Sequence, residues 1–126
     1  MERHVSLLAV LLSVWGALAA VMGLSMLLLS AGALAELVDP AGAAVKVAAG
    51  VTAGVFALIG AFALAWGGAH VWTAALLRRH RPLGRVAALG LALVNLLVLP
   101  FGTALAIYAL WVLLTHEGRR LFEASA

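Results

Sequence analysis

The sequence contains no cysteine and little charge. Of its 126 residues, 10% are charged and three are proline. Without cysteine the chain has no disulfide, no thiolate metal site and no redox thiol. It also has no paired carboxylates, no Ser/His/Asp arrangement, no phosphate-binding glycine loop and no helical metal-binding motif. We therefore expect a protein that is not an enzyme and that needs no cofactor and no metal.

What the chain has in abundance is apolar side chains. Hydrophobic residues make up 66% of it, and its mean hydropathy is +1.17. Soluble domains are roughly 45–50% apolar, and a small globule buries only about two-thirds of its surface. The composition excludes a soluble enzyme, a disordered tail and a nucleic-acid-binding module, and it predicts an integral membrane protein. The net charge of +3 then reflects arginines beside membrane spans, and no nucleic acid is expected as a partner.

Three long stretches carry no Asp, Glu, Lys or Arg: residues 4–35, 47–77 and 86–116. Each exceeds the roughly 20 residues of one membrane crossing. The third stretch includes Pro100, Gly102 and Thr103. Proline interrupts a helix, glycine accepts a left-handed turn, and threonine caps a new helix. This pattern predicts a tight helical hairpin, and the alternative is one long helix kinked at proline.

The distribution of basic residues favours the hairpin. With a turn at Pro100, all seven arginines lie on one side of the membrane and only Lys46 lies on the other, as the positive-inside rule expects. We therefore predict one all-α integral membrane domain, 1–126, with four transmembrane helices in two antiparallel hairpins. Both termini face the cytoplasm, in the inner membrane of a bacterium. The predicted spans are about 5–33, 43–77, 83–99 and 103–120.

Two further expectations concern the first hairpin. Asp39 is expected to cap the second helix, with Pro40 at its first position. The N-terminal apolar run far exceeds the roughly 7–15 residues of a signal-peptide core, so we expect it to be retained as a span.

The C-terminal hairpin resembles one that recurs in small bacterial four-helix inner-membrane proteins of unknown function. The similarity covers Pro82–Arg85, Asn95–Leu97 and, above all, the run from Leu99 to Leu114, with a polar and aromatic tail to Phe122. One difference is Ala106, where that pattern has glycine. The resemblance implies the topology and the bacterial source, and it implies no activity.

The second predicted span is rich in small residues that suit close helix packing. Gly50 and Gly54 form a GxxxG motif, and Ala57 and Ala61 continue the alanine rows. Small residues let helix backbones approach closely in lipid. Two alternatives stay open: packing against the first span, or an interface between subunits. Packing against the first span is the preferred interpretation, and the unequal hairpins add support to the second, since the longer hairpin extends apolar surface past the shorter.

Few polar side chains lie within the predicted spans. His70 is expected near the cytoplasmic interface beside belt tryptophans, with a metal or haem ligand as the less favoured interpretation. Asn95 is expected to bond across to the fourth helix, with Tyr108 as a candidate partner. The basic loop is expected to set orientation and contact anionic lipid headgroups. Its residues are Arg78, Arg79, Arg81 and Arg85.

These features favour a non-enzymatic membrane scaffold or accessory subunit, either a homo-oligomer or part of a larger membrane complex. A small oligomeric passive channel or transporter is the alternative, and a lipid- or haem-handling enzyme that uses His70 is a weaker one. No acidic or basic group lies in the middle of a predicted span, which argues against active transport by this chain alone.

Overall fold

The protein is all-helical in the computed structural model, which describes residues 1–38, 42–98 and 101–123. The sequence is dominated by alanine and leucine, which are among the best helix formers. The five helices are α1 (Glu2–Ala35), α2 (Ala43–Arg78), α3 (Pro82–Asn95), α4 (Phe101–Leu114) and α5 (His116–Glu123).

Helices α1 and α2 are each long and apolar enough to cross a membrane, by length and composition. They contain 34 and 36 residues, so each extends for about 50 Å at 1.5 Å per residue. Within their most apolar stretches, 28% and 17% of residues are buried, whereas the core helix of a soluble protein is mostly buried. Their ends lie within three residues of the predicted spans 5–33 and 43–77.

The two later helices are shorter than predicted. Helices α3 and α4 have 14 residues each, or about 21 Å of helix, which is less than the ~30 Å hydrocarbon core. The helices do not fill the predicted spans 83–99 and 103–120, because α3 ends at Asn95 and α4 ends at Leu114, where Thr115 interrupts the helix before α5. The four-span arrangement therefore stays a prediction.

The turn between α3 and α4 differs from the expected one. Gly102 lies inside α4, is buried, and does not have a positive φ. A Cβ at this position would lie 2.6 Å from the Val98 Cβ, so close packing rather than a left-handed turn requires glycine. Thr103 also lies inside α4, and its hydroxyl donates to the Leu96 carbonyl at 2.9 Å instead of capping the helix. Pro100, Asp39 and Pro40 lie outside the described residues.

The chain divides into two compact units. Unit 1 comprises Met1–Gly16 and Ala69–Ala126, and unit 2 comprises Ala17–Gly68. Unit 1 contains the hydrophobic core. Its fully buried side chains come from α1, α2 and α4, and small α3 residues fit between them. They include Val5, Leu8, Leu12, Leu77, Ala88, Ala92, Val112 and Leu113.

Unit 2 consists of the remaining parts of α1 and α2, which pack directly against each other. A Cβ on Gly23 would lie 2.8 Å from the Gly60 carbonyl oxygen, and a Cβ on Gly60 would lie 2.8 Å from the Gly23 oxygen. The Ser30 hydroxyl donates to the Ala53 carbonyl across the same pair at 2.8 Å. The two backbones therefore touch where glycine removes the side chain.

Candidate functional site

Unit 1 contains a buried polar pair between α2 and α3. The His70 Nε2 and Asn95 Nδ2 atoms are 2.9 Å apart, and the two residues are 0% and 1% exposed. With Nδ1 protonated, Nε2 accepts from the amide; with Nε2 protonated, it donates to the amide oxygen after the amide turns over. The imidazole is enclosed by the helices of unit 1 and is not exposed to a headgroup, while its position near the cytoplasmic interface stays a prediction.

The same pair corrects the expected partner of Asn95. Tyr108 lies elsewhere in unit 1, where its hydroxyl is 3.2 Å from His4 Nδ1 and donates to the His4 carbonyl at 3.4 Å. Trp111 places its ring edge-on to His4 at a centroid distance of 5.2 Å. These contacts hold the first turn of α1 against α4. The role of His4 was not predicted, although an N-terminal histidine and the aromatic residues of α4 are compatible partners.

Two buried polar atoms in the described part of unit 1 have no hydrogen-bond partner: Asn95 Oδ1 and Trp15 Nε1. Leaving a buried acceptor or donor unsatisfied costs about 1–3 kcal/mol. Asn95 thus uses its amide nitrogen for His70 while its oxygen is unsatisfied. Because His70 Nε2 is already engaged by the amide, the arrangement does not suit that atom as a metal or haem ligand.

The basic loop is a well-defined helix-ending turn. His80 has φ of 51°, and its N–H donates to the Leu77 carbonyl while the Arg81 N–H donates to the Leu76 carbonyl. This is a Schellman motif with His80 at the left-handed position that glycine usually occupies. The His80 ring also packs against Phe122 of α5 at 6.0 Å. The chain reverses here into α3, which begins at Pro82.

Close packing fixes the start of α3 against the end of α2. Gly84 is buried, and a Cβ there would lie 2.8 Å from the Leu76 carbonyl carbon and 3.0 Å from the Leu77 nitrogen. Neither atom belongs to a movable side chain. Glycine is therefore required where α3 lies on the backbone of α2.

The four arginines of this turn divide into two kinds. Arg85 donates from Nε to the Leu113 carbonyl at 3.0 Å, which satisfies a carbonyl near the C-terminal end of α4. Arg78 donates to the Ser13 hydroxyl at 3.4 Å. Arg79 and Arg81, by contrast, make no side-chain hydrogen bond or ion pair to any residue that the structure describes. Only these two keep their full hydrogen-bonding capacity.

In unit 2 the predicted packing glycines face outward. Gly50 and Gly54 are exposed, and a Cβ on either would meet nothing within 4 Å. Ala61 is also exposed and Ala57 is half-buried. The close contact inside unit 2 instead uses Gly23 and Gly60, which the sequence analysis did not select as the pair.

Within residues 1–38, 42–98 and 101–123, no group of three or more His, Cys, Asp or Glu side chains is placed to hold a metal ion. No protein-family model, no curated protein and no solved structure matches the chain. The site must therefore be interpreted from its own geometry.

Proposed function

We propose that the chain is a multi-pass membrane protein that acts as a non-enzymatic scaffold or accessory subunit and self-associates through the outer face of α2. The observation that carries this proposal is the open space above Gly50 and Gly54. A GxxxG pair leaves a shallow groove that a second helix can enter. This chain does not fill the groove with its own first helix, which packs at Gly60 instead. On a 3.6-residue helix Gly54 and Gly60 lie about 120° apart.

The hydroxyl groups support a scaffold over a passive channel. Ser13 and Ser25 donate to carbonyls one turn earlier in their own helix, and Ser30 and Thr103 donate to the carbonyls of Ala53 and Leu96. Hydroxyls used in this way offer little to a solute. The Asn95 amide nitrogen and His70 Nε2 likewise bond to each other in a closed interior. A polar lumen would have few available groups.

We expect the glycine groove to be the contact between copies, which Gly54→Leu tests. The added side chain would separate a close helix pair, at a cost of about 1–3 kcal/mol from overpacking. Crosslinking in native membranes and particle mass in mild detergent should both shift toward the monomer. The monomer itself should stay folded, because nothing in the chain lies within 4 Å of the new Cβ.

Gly90→Leu is the matched control for this experiment. Gly90 is exposed on α3 with nothing within 4 Å of a Cβ, so it receives the same side chain away from the groove. It should leave the particle mass unchanged. A wild-type chain that is monomeric in several mild detergents and in crosslinked membranes would end the proposal of self-association.

The proposed topology is four membrane-embedded helices with both termini and the arginine turn in the cytoplasm. The bond from Arg85 to Leu113 supports the return of α4 to the level where α3 begins. The C-terminus then lies beside the arginine turn even if the short α3–α4 hairpin enters the membrane without crossing its full thickness. The segregation of seven arginines from Lys46 supports the cytoplasmic assignment.

Reporter fusions test this topology. A reporter after Ala126 and one inserted between Arg79 and His80 should both report the cytoplasm, while one inserted near Gly42 should report the outside. A reporter inserted between α3 and α4 is the control. It shows how the readings change when a reporter disturbs the insertion of this hairpin. The four-helix topology would have to be abandoned if the C-terminal reporter read outside.

A further inference from the structure

The charged end of unit 1 has several concavities, and two of them pair cations with carboxylates. One is lined by Glu2 together with Arg78 and His80. Another is lined by Glu2 and Glu117 together with Arg120. In both, a carboxylate of the chain already offers the cation an opposite charge, so an external anion gains less by binding there.

A third concavity has cations and no carboxylate. It has a volume of about 340 Å³ and is lined by Arg79, Arg81, Leu76, Pro82 and Leu83. This volume lies in the usual range of small-ligand sites, about 300–1,000 Å³. Its two arginines are those that make no side-chain hydrogen bond or ion pair to the described residues. The N-terminal end of the 14-residue helix α3 opens beside them and adds partial positive charge.

We propose that this concavity, the Arg79–Arg81 pocket, binds the phosphate of an anionic membrane phospholipid. Guanidinium groups match phosphate oxygens in a bidentate geometry, and the two here make no side-chain hydrogen bond to any described residue. Leu76 and Leu83 provide an apolar wall for the first part of an acyl chain, which a free phosphate would not need. The proposal rests on the proposed membrane insertion and not on self-association.

The backbone of the pocket is fixed before a lipid arrives. The two arginines flank His80, whose left-handed conformation is held by the Schellman hydrogen bonds and by its contact with Phe122. Gly84 seats α3 on the backbone of α2 at the pocket's far edge. Only the two arginine side chains have to become ordered on binding, which limits the entropic cost.

Native mass spectrometry of the full chain in a mild detergent tests the proposal. Phosphatidylglycerol and phosphatidylcholine are titrated separately, and the dissociation constant of the first bound lipid is measured. Each basic residue near a lipid headgroup strengthens binding about fivefold. The double variant Arg79→Gln/Arg81→Gln should therefore bind phosphatidylglycerol about 25-fold more weakly, with phosphatidylcholine binding unchanged. Its unfolding midpoint in detergent should match that of the wild type.

The control is Arg119→Gln/Arg120→Gln, which removes the same charge from α5. It should retain most of the phosphatidylglycerol affinity. Equal weakening by the two double variants would show general electrostatic attraction and overturn the pocket. Glycerol phosphate that competes as well as the lipid would also overturn it, because the site would then be one for free phosphate. The same spectra show the number of chains per particle, so loss of self-association is distinguished from loss of lipid binding.

Discussion

Gly60→Leu is expected to separate α1 from α2 in unit 2 and to lower the free energy of unfolding by about 3 kcal/mol. Overpacking a tight contact costs typically 1–3 kcal/mol. The upper end applies here because the Cβ would lie 2.8 Å from the Gly23 carbonyl oxygen, which is backbone and has no rotamer to change. The Leu27 side chain would also have to move, since its Cγ lies 2.9 Å from the same position.

The measurement is thermal unfolding of the purified chain in one detergent, followed by circular dichroism. Gly68→Leu is the matched control, because it adds the same side chain to the same helix where nothing lies within 4 Å. It should leave the midpoint close to that of the wild type. A Gly60→Leu chain as stable as this control would show that the two backbones do not meet at these glycines.

The second large effect is expected at the buried pair of His70 and Asn95. Asn95→Leu removes the amide that contacts Nε2 in a fully buried site. Removing one partner of a buried hydrogen bond costs about 1–3 kcal/mol, whereas replacing both by apolar groups can be nearly neutral. Each single variant, Asn95→Leu or His70→Leu, should therefore destabilise the chain, and the double variant should lose less than the sum of the two.

A double-mutant cycle on unfolding in detergent measures this coupling. Polar contacts between helices in lipid are worth roughly 0.6–2 kcal/mol, which sets the expected interaction energy. Thr73→Val, at a buried α2 position near His70 in sequence, tests whether any polar loss on this helix has the same effect. Strict additivity of the Asn95 and His70 variants would show that the two side chains do not stabilise each other.

Composition and the long uncharged stretches were enough to predict an all-helical chain, and two of the four predicted spans correspond to the long apolar helices α1 and α2. Hydropathy also located α1 and α2 closely, since Glu36 and Arg78 mark where the apolar runs stop. Hydropathy failed at the end of α3, because Leu96, Leu97 and Val98 are as apolar as the helix before them. The helix ends there because the backbone hydrogen bonding changes. The mean hydropathy of the side chains does not detect such a change.

Helix α5 was not predicted, because its charged residues, and not its apolar ones, determined the interpretation. Its many charges suggested the end of a span and a polar tail. Within them Gly118, Leu121 and Phe122 recur at helical spacing, and Gly118 and Phe122 are buried. That amphipathic pattern was the signal in the sequence for a short helix that packs against the other helices of unit 1.

The partner of His70 could not be inferred from the sequence. Helices α1, α2 and α4 are apolar on every side, so the sequence does not indicate which face of each one turns inward. Small residues do not resolve this, because α2 has Gly50 and Gly54 on one face and Gly60 about 120° from Gly54. The rotation of a helix about its own axis depends on contacts that the sequence pattern does not specify.

The contact between Gly23 and Gly60 also limits how far the α1 and α2 segments of unit 2 can slide along each other. In each glycine, an α-hydrogen takes the place of the Cβ, and that Cβ position lies 2.8 Å from the carbonyl oxygen of the other glycine. Such reciprocal Cα–H···O contacts are weak hydrogen bonds, worth about 0.5–1 kcal/mol each, and they recur at helix interfaces. A shift of one turn would bring larger side chains onto the opposing carbonyls and lose both contacts. Two residues with no side chain therefore specify the alignment of the two helices within unit 2, where α1 extends for about 28 Å.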